Sequence, residues 1–145
     1  MNPSPDIADR PARILIVDDI RENRQLLEVV LSQEGFTLLT AVGGLEALAI
    51  VVQQSPDLIL LDVMMPGMDG YEVAAKVKGN RATKDIPIII VSSLHDRGAK
   101  WSARNAGADD FISRPVDRAE LLLRVRRLLP FNRTGRLPRP DVLKT

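Results

Sequence analysis

Cysteine is absent from the 145 residues, so disulfides and thiolate metal sites are excluded. Histidine occurs once, at His95, which rules out a histidine-rich metal site and any catalytic triad that needs a second imidazole. Aromatic residues make up only 3% of the chain, so a core must be built from Leu, Ile, Val and Ala. Charge of neither sign dominates. The formal net charge of +1 argues against a strongly basic nucleic-acid binder and against an acidic tail. No apolar run approaches the roughly 18 residues that a membrane span needs. Met1 to Arg10 contains no apolar stretch of the signal-peptide kind. These absences together set the expectation of a cytoplasmic protein with no membrane contact and no direct nucleic-acid contact. Asn132-Arg133-Thr134 fits the glycosylation acceptor pattern and, in a cytoplasmic chain, is read as chance.

What is present is enough apolar residue, 45%, to bury one core. Residues 1–11 read as an N-terminal tail and 12–130 as a single domain. Residues 131–145, with prolines and a glycine in no period, read as a C-terminal tail or linker. Inside the domain, short apolar runs alternate with longer amphipathic stretches. Strands are expected at Arg13 to Val17, Phe36 to Thr40, Leu58 to Leu61, Ile88 to Val91 and around Phe111-Ile112. Helices are expected over Arg21 to Glu34, Leu45 to Gln54, a stretch capped by Asp69, Asp96 to Asn105, and a stretch from Asp117 to Pro130. The first helix shows Leu26, Leu27, Val30 and Leu31 on one face and stops at Gly35. Asp69 with Glu72, and Asp117 with Glu120, have the spacing of capping boxes.

Such alternation means α/β architecture, a parallel sheet covered on both faces. The first, third and fourth runs are wholly apolar, as central strands are, and the second and fifth are more mixed, as edges are. The strand order 2-1-3-4-5, a flavodoxin-like doubly wound (βα)5 three-layer sandwich, fits this pattern, and an order with the first strand at an edge fits it less well.

Sheets of this kind bind ligands beyond the carboxyl ends of their strands, near the switch point between strands one and three. Asp18 and Asp19 follow the first strand, Asp62 the third, Ser92 and Ser93 the fourth, and Arg114 and Pro115 the fifth. A lone Asp after a strand is ordinarily a cap or turn residue, and Asp18-Asp19 alone fits that reading. Three carboxylates with a hydroxyl and a guanidinium on one spot are harder to assign to chance. Carboxylates this close repel unless one takes a proton or a cation neutralises them. With oxygen ligands only, the cation should be hard, Mg2+ first and Mn2+ as a substitute. Such a site suits phosphoryl transfer, which depends on positioning and charge neutralisation.

Four stretches carry a resemblance. They are Ile16-Val17-Asp18-Asp19, Leu60-Leu61-Asp62 continuing through Val63-Met64-Met65-Pro66-Gly67-Met68-Asp69-Gly70, Pro87 to Ser92, and Gly107 to Pro115. In this order and spacing the chain, over roughly Ala12 to Pro130, resembles the receiver domains of two-component response regulators, the CheY-like superfamily. The run Ile20 to Asn23 with Leu26-Leu27 is most similar to receivers that front diguanylate cyclases or occur with hybrid kinases. The resemblance implies that Asp62 accepts a phosphoryl group from a histidine kinase or phosphotransfer protein. It implies that Asp18, Asp19, Asp62 and the backbone carbonyl of Met64 hold Mg2+. Ser92 takes the position of the hydroxyl that binds the phosphoryl group, and Phe111 that of the switch aromatic. The signal then leaves through the fourth helix, fifth strand and fifth helix, to a protein target, an output domain or a second copy. Such a protein is not an enzyme on a separate substrate; it catalyses its own phosphoryl transfer and dephosphorylation. One departure stands out: where the family has lysine, this chain has Arg114, a planar fork instead of a point charge. In the family the bond before this proline is often cis, so the resemblance makes Arg114-Pro115 a candidate cis peptide.

Rival readings are weaker. A phosphatase with an Asp nucleophile would want a second Asp two residues on, where Met64 stands. A flavin module would not place Asp18-Asp19 in its phosphate loop. A pseudo-receiver, binding partners without phosphorylation, is left open by Arg114. His95 is read as polar surface and Trp101 as a partly exposed packing or partner-contact residue. Arg118, Arg124, Arg126 and Arg127 are read as a solvated face, with an acidic partner as the alternative. No output domain fits in 145 residues, so the chain acts through partners or belongs to something longer.

Overall fold

A computed structural model describes residues 10–94 and 97–129. It contains β1 (Arg13–Val17), α1 (Arg21–Ser32), β2 (Thr37–Ala41), α2 (Gly44–Gln54), β3 (Leu58–Asp62), α3 (Gly70–Lys78), β4 (Ile88–Ser92), α4 (Arg97–Asn105), β5 (Asp110–Ser113) and α5 (Arg118–Leu128). The five strands form one sheet in the order β2-β1-β3-β4-β5. Every neighbouring pair is parallel. The flavodoxin-like order expected from the apolar runs is therefore the order found.

Strand side chains alternate between the two faces, and the core divides accordingly. Ile14, Ile16, Leu58, Leu60, Ile89, Val91 and Ile112 face one side, against Leu27 and Leu31 of α1 and Leu121, Leu122 and Val125 of α5. Leu15, Val17, Ile59, Leu61, Ile88 and Ile90 face the other, against Ala47 and Val51 of α2, Val73, Ala74 and Val77 of α3, and Ala103 of α4. Each buried Ile or Leu contributes about 1.5–3 kcal/mol, so the three central strands supply much of the driving force.

Several expectations shift at the edges. The second strand begins at Thr37 and not Phe36 and runs to Ala41. Phe36 is buried, but it packs from the connecting loop, since core burial does not require ladder pairing. Leu26 is 68% exposed, so it does not share the buried face of α1 with Leu27 and Leu31. Leu26 lies 100° around the helix from Leu27, outside the arc that meets the sheet. The second helix starts one residue early, at Gly44. The fourth is described from Arg97; His95 and Asp96 lie outside the described residues, as do residues 1–9 and 130–145. Trp101 is 62% exposed, in keeping with the sequence reading.

Both expected caps form, to different extents. Asp69 accepts the Glu72 N–H at 2.9 Å while the Glu72 carboxylate accepts the Asp69 N–H at 3.0 Å, a complete capping box. Asp117 accepts the Glu120 N–H at 2.9 Å, but Glu120 turns its carboxylate to Arg124 instead of closing the box. Removing the first box with Asp69→Ala is expected to cost about 1 kcal/mol, read as a lower urea midpoint at an unchanged slope.

Candidate functional site

The polar residues at the ends of the central strands break an otherwise apolar pattern. Asp18 is 1% exposed, Asp62 5% and Ser92 0%. Burying ionisable groups costs free energy unless something compensates, so the compensating partners define the site. Asp18, Asp19 and Asp62 each offer an oxygen, and these oxygens lie within 4.8 Å of one another. Sequence reasoning brought these three together, and the fold does place them together.

The partners are specific. Asp18 Oδ1 accepts the Ile20 N–H at 2.9 Å, and Asp18 Oδ2 accepts Arg114 Nη2 at 2.6 Å. Asp62 Oδ1 accepts Arg114 Nη1 at 2.9 Å. The same Nη1 also approaches the Val91 carbonyl, at 3.2 Å. The Asp18 carbonyl accepts Arg24 Nη1 at 2.8 Å, which ties α1 to the end of β1. Asp62 Oδ2 accepts no hydrogen bond among the described residues. Asp19 Oδ1 is buried with no hydrogen-bond partner among the described residues.

Burial pushes the Asp62 carboxyl above the ordinary carboxylate range. The hydrogen bond from Arg114 opposes this, and the nearby negative charges of Asp18 and Asp19 add to it.

The other expected residues fall around this cluster. Ser92 is fully buried at the end of β4, and its Oγ accepts the Leu94 N–H at 3.0 Å. Arg114 follows β5, its N–H bonded to the Ser92 carbonyl at 2.9 Å, and the Arg114–Pro115 bond is cis. Met64 lies two residues beyond Asp62 with its side chain exposed. Phe111 is half-buried in β5 and packs against the cluster beneath α2, α3 and α4. The arginines of α5 are more engaged than a solvated face requires: Arg124 pairs with Asp110 and Glu120, and both Arg118 and Arg126 pair with Glu34.

The donor set fits a hard divalent cation. All the candidate side-chain ligands are carboxylate oxygens, and Asp19 Oδ1, buried and without a partner among the described residues, is an anionic oxygen that a cation would satisfy. Two features escaped the sequence reading. One is that Arg114 reaches Asp18 as well as Asp62. The other is Gly70, the first residue of α3, on which a Cβ would lie 2.2 Å from the Asp62 carbonyl oxygen. A glycine opening a helix directly behind a well-formed cap was the available signal.

Comparison with known proteins agrees with this geometry. The family model described as "Response regulator receiver domain" matches residues 14–126. Response regulator PleD of Caulobacter vibrioides is 46% identical over 120 residues, covering 83% of this chain and 26% of that protein. The DNA-binding dual master transcriptional regulator RpaA of Synechocystis is 39% identical over 126 residues, covering 87% of this chain and 52% of that one. The crystal structure of response regulator protein TrrA from Thermotoga maritima, in complex with Mg(2+)-BeF, is 36% identical with a TM-score of 0.74, covering 81% of this chain and 99% of that one. The chain thus spans about a quarter to a half of these two curated relatives. The expectation of no direct nucleic-acid contact does not fit a kinship that includes a protein named for DNA binding. A net charge summed over 145 residues speaks only for those residues. No helix among the described residues is long and apolar enough to cross a membrane.

Proposed function

Because this chain belongs to the response regulator receiver domain family, we propose that it works as a phosphoryl-accepting switch, with Asp62 as the acceptor. The observation that carries this is the cluster of Asp18, Asp19 and Asp62, in which one buried oxygen of Asp19 has no partner among the described residues. Asp62 Oδ2 attacks the phosphorus of a phosphohistidine on a histidine kinase or phosphotransfer protein. The P–O bond forms, the P–N bond breaks, and the electron pair leaves with the imidazole nitrogen. No general base is needed, because the acceptor reacts as the carboxylate. Asp18, Asp19, Asp62 and the Met64 carbonyl are the residues to hold Mg2+. When bound, the ion supplies charge neutralisation for the phosphoryl oxygens. Arg114 and the Ser92 hydroxyl bind those oxygens from the protein's side.

The added negative charge then draws the Ser92 hydroxyl inward and lets Phe111 follow, altering the face formed by α4, β5 and α5. That face would meet a protein target, an output domain or a second copy of the chain. The protein turns over no separate substrate, and its place is the cytoplasm. A pseudo-receiver that works without phosphorylation draws no support from the relatives, and all three carboxylates are kept.

The test is intact mass after incubation with MgCl2 and a small phosphodonor. One phosphoryl adduct is expected on the wild type. It should be absent with EDTA and absent from Asp62→Ala. No adduct on a folded, Mg2+-binding wild type, even with a cognate kinase, would sink the proposal.

A further inference from the structure

Arg114 does not simply stand in for a point charge. Its two Nη atoms reach two different carboxylates, Asp18 at 2.6 Å and Asp62 at 2.9 Å. All three side chains are shielded from solvent, Asp18 and Asp62 at 1% and 6% exposed and Arg114 at 18%. Charge-assisted bonds of this length in a poorly solvated site are strong. The other Asp18 oxygen is already committed to the Ile20 N–H. Both oxygens of Asp18 are therefore engaged within the protein, whereas among the described residues Asp19 Oδ1 is buried without a partner and Asp62 Oδ2 accepts no hydrogen bond.

We infer that Arg114 is a resident counter-cation that competes with the divalent ion for Asp18. The inference rests on the proposed Mg2+-dependent reading of the site. A carboxylate oxygen has lone pairs for two partners, so the conflict is electrostatic before it is steric. A guanidinium and a dication on the same two carboxylates repel each other. Binding the ion through Asp18 then requires Nη2 to let go. A lysine would not impose this to the same degree, because it gathers its donors on one nitrogen, while the guanidinium spreads them across two. The competition has a constructive side. Three carboxylates and one guanidinium leave the site with two negative charges, which a divalent ion balances. Entry of the ion frees Nη2 as a donor for an incoming phosphoryl oxygen. Arg114 thus sets the cation concentration at which the site becomes competent, and becomes available for the phosphoryl group in the same step.

The measurement is calorimetric titration of MgCl2 into wild type, Arg114→Lys and Arg114→Gln, with circular dichroism to verify folding. Lysine tests reach at constant charge; glutamine tests the loss of charge. Both variants are expected to bind Mg2+ more tightly than wild type, glutamine by about tenfold or more because the like charge is gone, and lysine by less because only the second contact is lost. Their thermal midpoints should rise more on adding MgCl2 than the wild type's, since stabilisation by a ligand grows as its Kd falls. Unchanged or weaker binding by folded Arg114→Lys overturns the inference while leaving phosphoryl acceptance intact. Failure of all three proteins to bind Mg2+ overturns both this inference and the reading beneath it.

Discussion

Gly70→Ala is expected to destabilise the protein by about 3 kcal/mol or more, at the upper end of the cost of overpacking. The reason is backbone, not side chain. The added Cβ would lie 2.2 Å from the Asp62 carbonyl oxygen and 2.9 Å from both the Asp62 carbonyl carbon and Val63 Cα. A crowded side chain can rotate away, but here the end of β3 or the start of α3 must move. Neither is free to do so. Gly70 donates its N–H to the Val63 carbonyl at 2.9 Å, and Asp69 just before it is held in the capping box. On the other side, Leu61 and Leu60 anchor β3 in the two halves of the core. Any relief therefore comes from shifting Asp62, so the folded fraction should also lose Mg2+ affinity and phosphoryl uptake. Urea denaturation beside the mass assay checks both. A variant with the wild-type midpoint and normal uptake would refute the close approach.

The sequence made the middle of this fold legible for a physical reason. A strand covered on both faces cannot carry a polar side chain without cost, so Ile14 to Val17, Leu58 to Leu61 and Ile88 to Val91 announce themselves as uninterrupted apolar runs. The polar residue that ends each run is then conspicuous, and Asp18, Asp62 and Ser92 were found in this way. Edges are less legible. Phe36 is as apolar and as buried as a strand residue yet sits one position before the ladder, and burial alone does not distinguish the two. In α1, the doublet Leu26-Leu27 leaves open which leucine faces the sheet, since adjacent helical residues differ by 100°; only packing against β1 decides it. The site divides similarly. Which residues converge follows from topology, because strand ends are fixed by strand order. Which oxygen bonds to which donor does not. Asp18 and Arg114 are 96 residues apart, and their pairing depends on how far a guanidinium reaches from the end of β5. The partnerless Asp19 oxygen is likewise invisible in a string of letters, since it depends on what surrounds it in space.

Asp62→Asn is expected to lose all phosphoryl uptake and yet to melt higher than wild type in EDTA at neutral pH. The first effect removes the nucleophile. The second follows from burial, which together with the Asp18 and Asp19 charges raises the Asp62 carboxyl above its ordinary range despite the Arg114 hydrogen bond. A carboxyl whose pKa is higher folded than unfolded binds its proton more tightly in the folded state. Its contribution to stability is complete below the unfolded pKa and is lost as pH rises through the folded one. At neutral pH the wild type carries that loss, and asparagine, which is neutral and still able to accept from Arg114, does not. A higher Tm for the variant is the expected direction. The gap should narrow as pH falls into the carboxylate range, where Asp62 is protonated too. Added Mg2+ should narrow it from the other direction, because the ion stabilises the protein with three carboxylates more than the one with two. Thermal melts across pH, with EDTA and with MgCl2, test all three trends. A variant that melts lower than wild type in EDTA at neutral pH would show that the Arg114 ion pair outweighs burial. The expected pattern is that of a residue retained for its chemistry at a cost to the fold, since the carboxylate that accepts the phosphoryl group is costly to bury until a cation balances its charge.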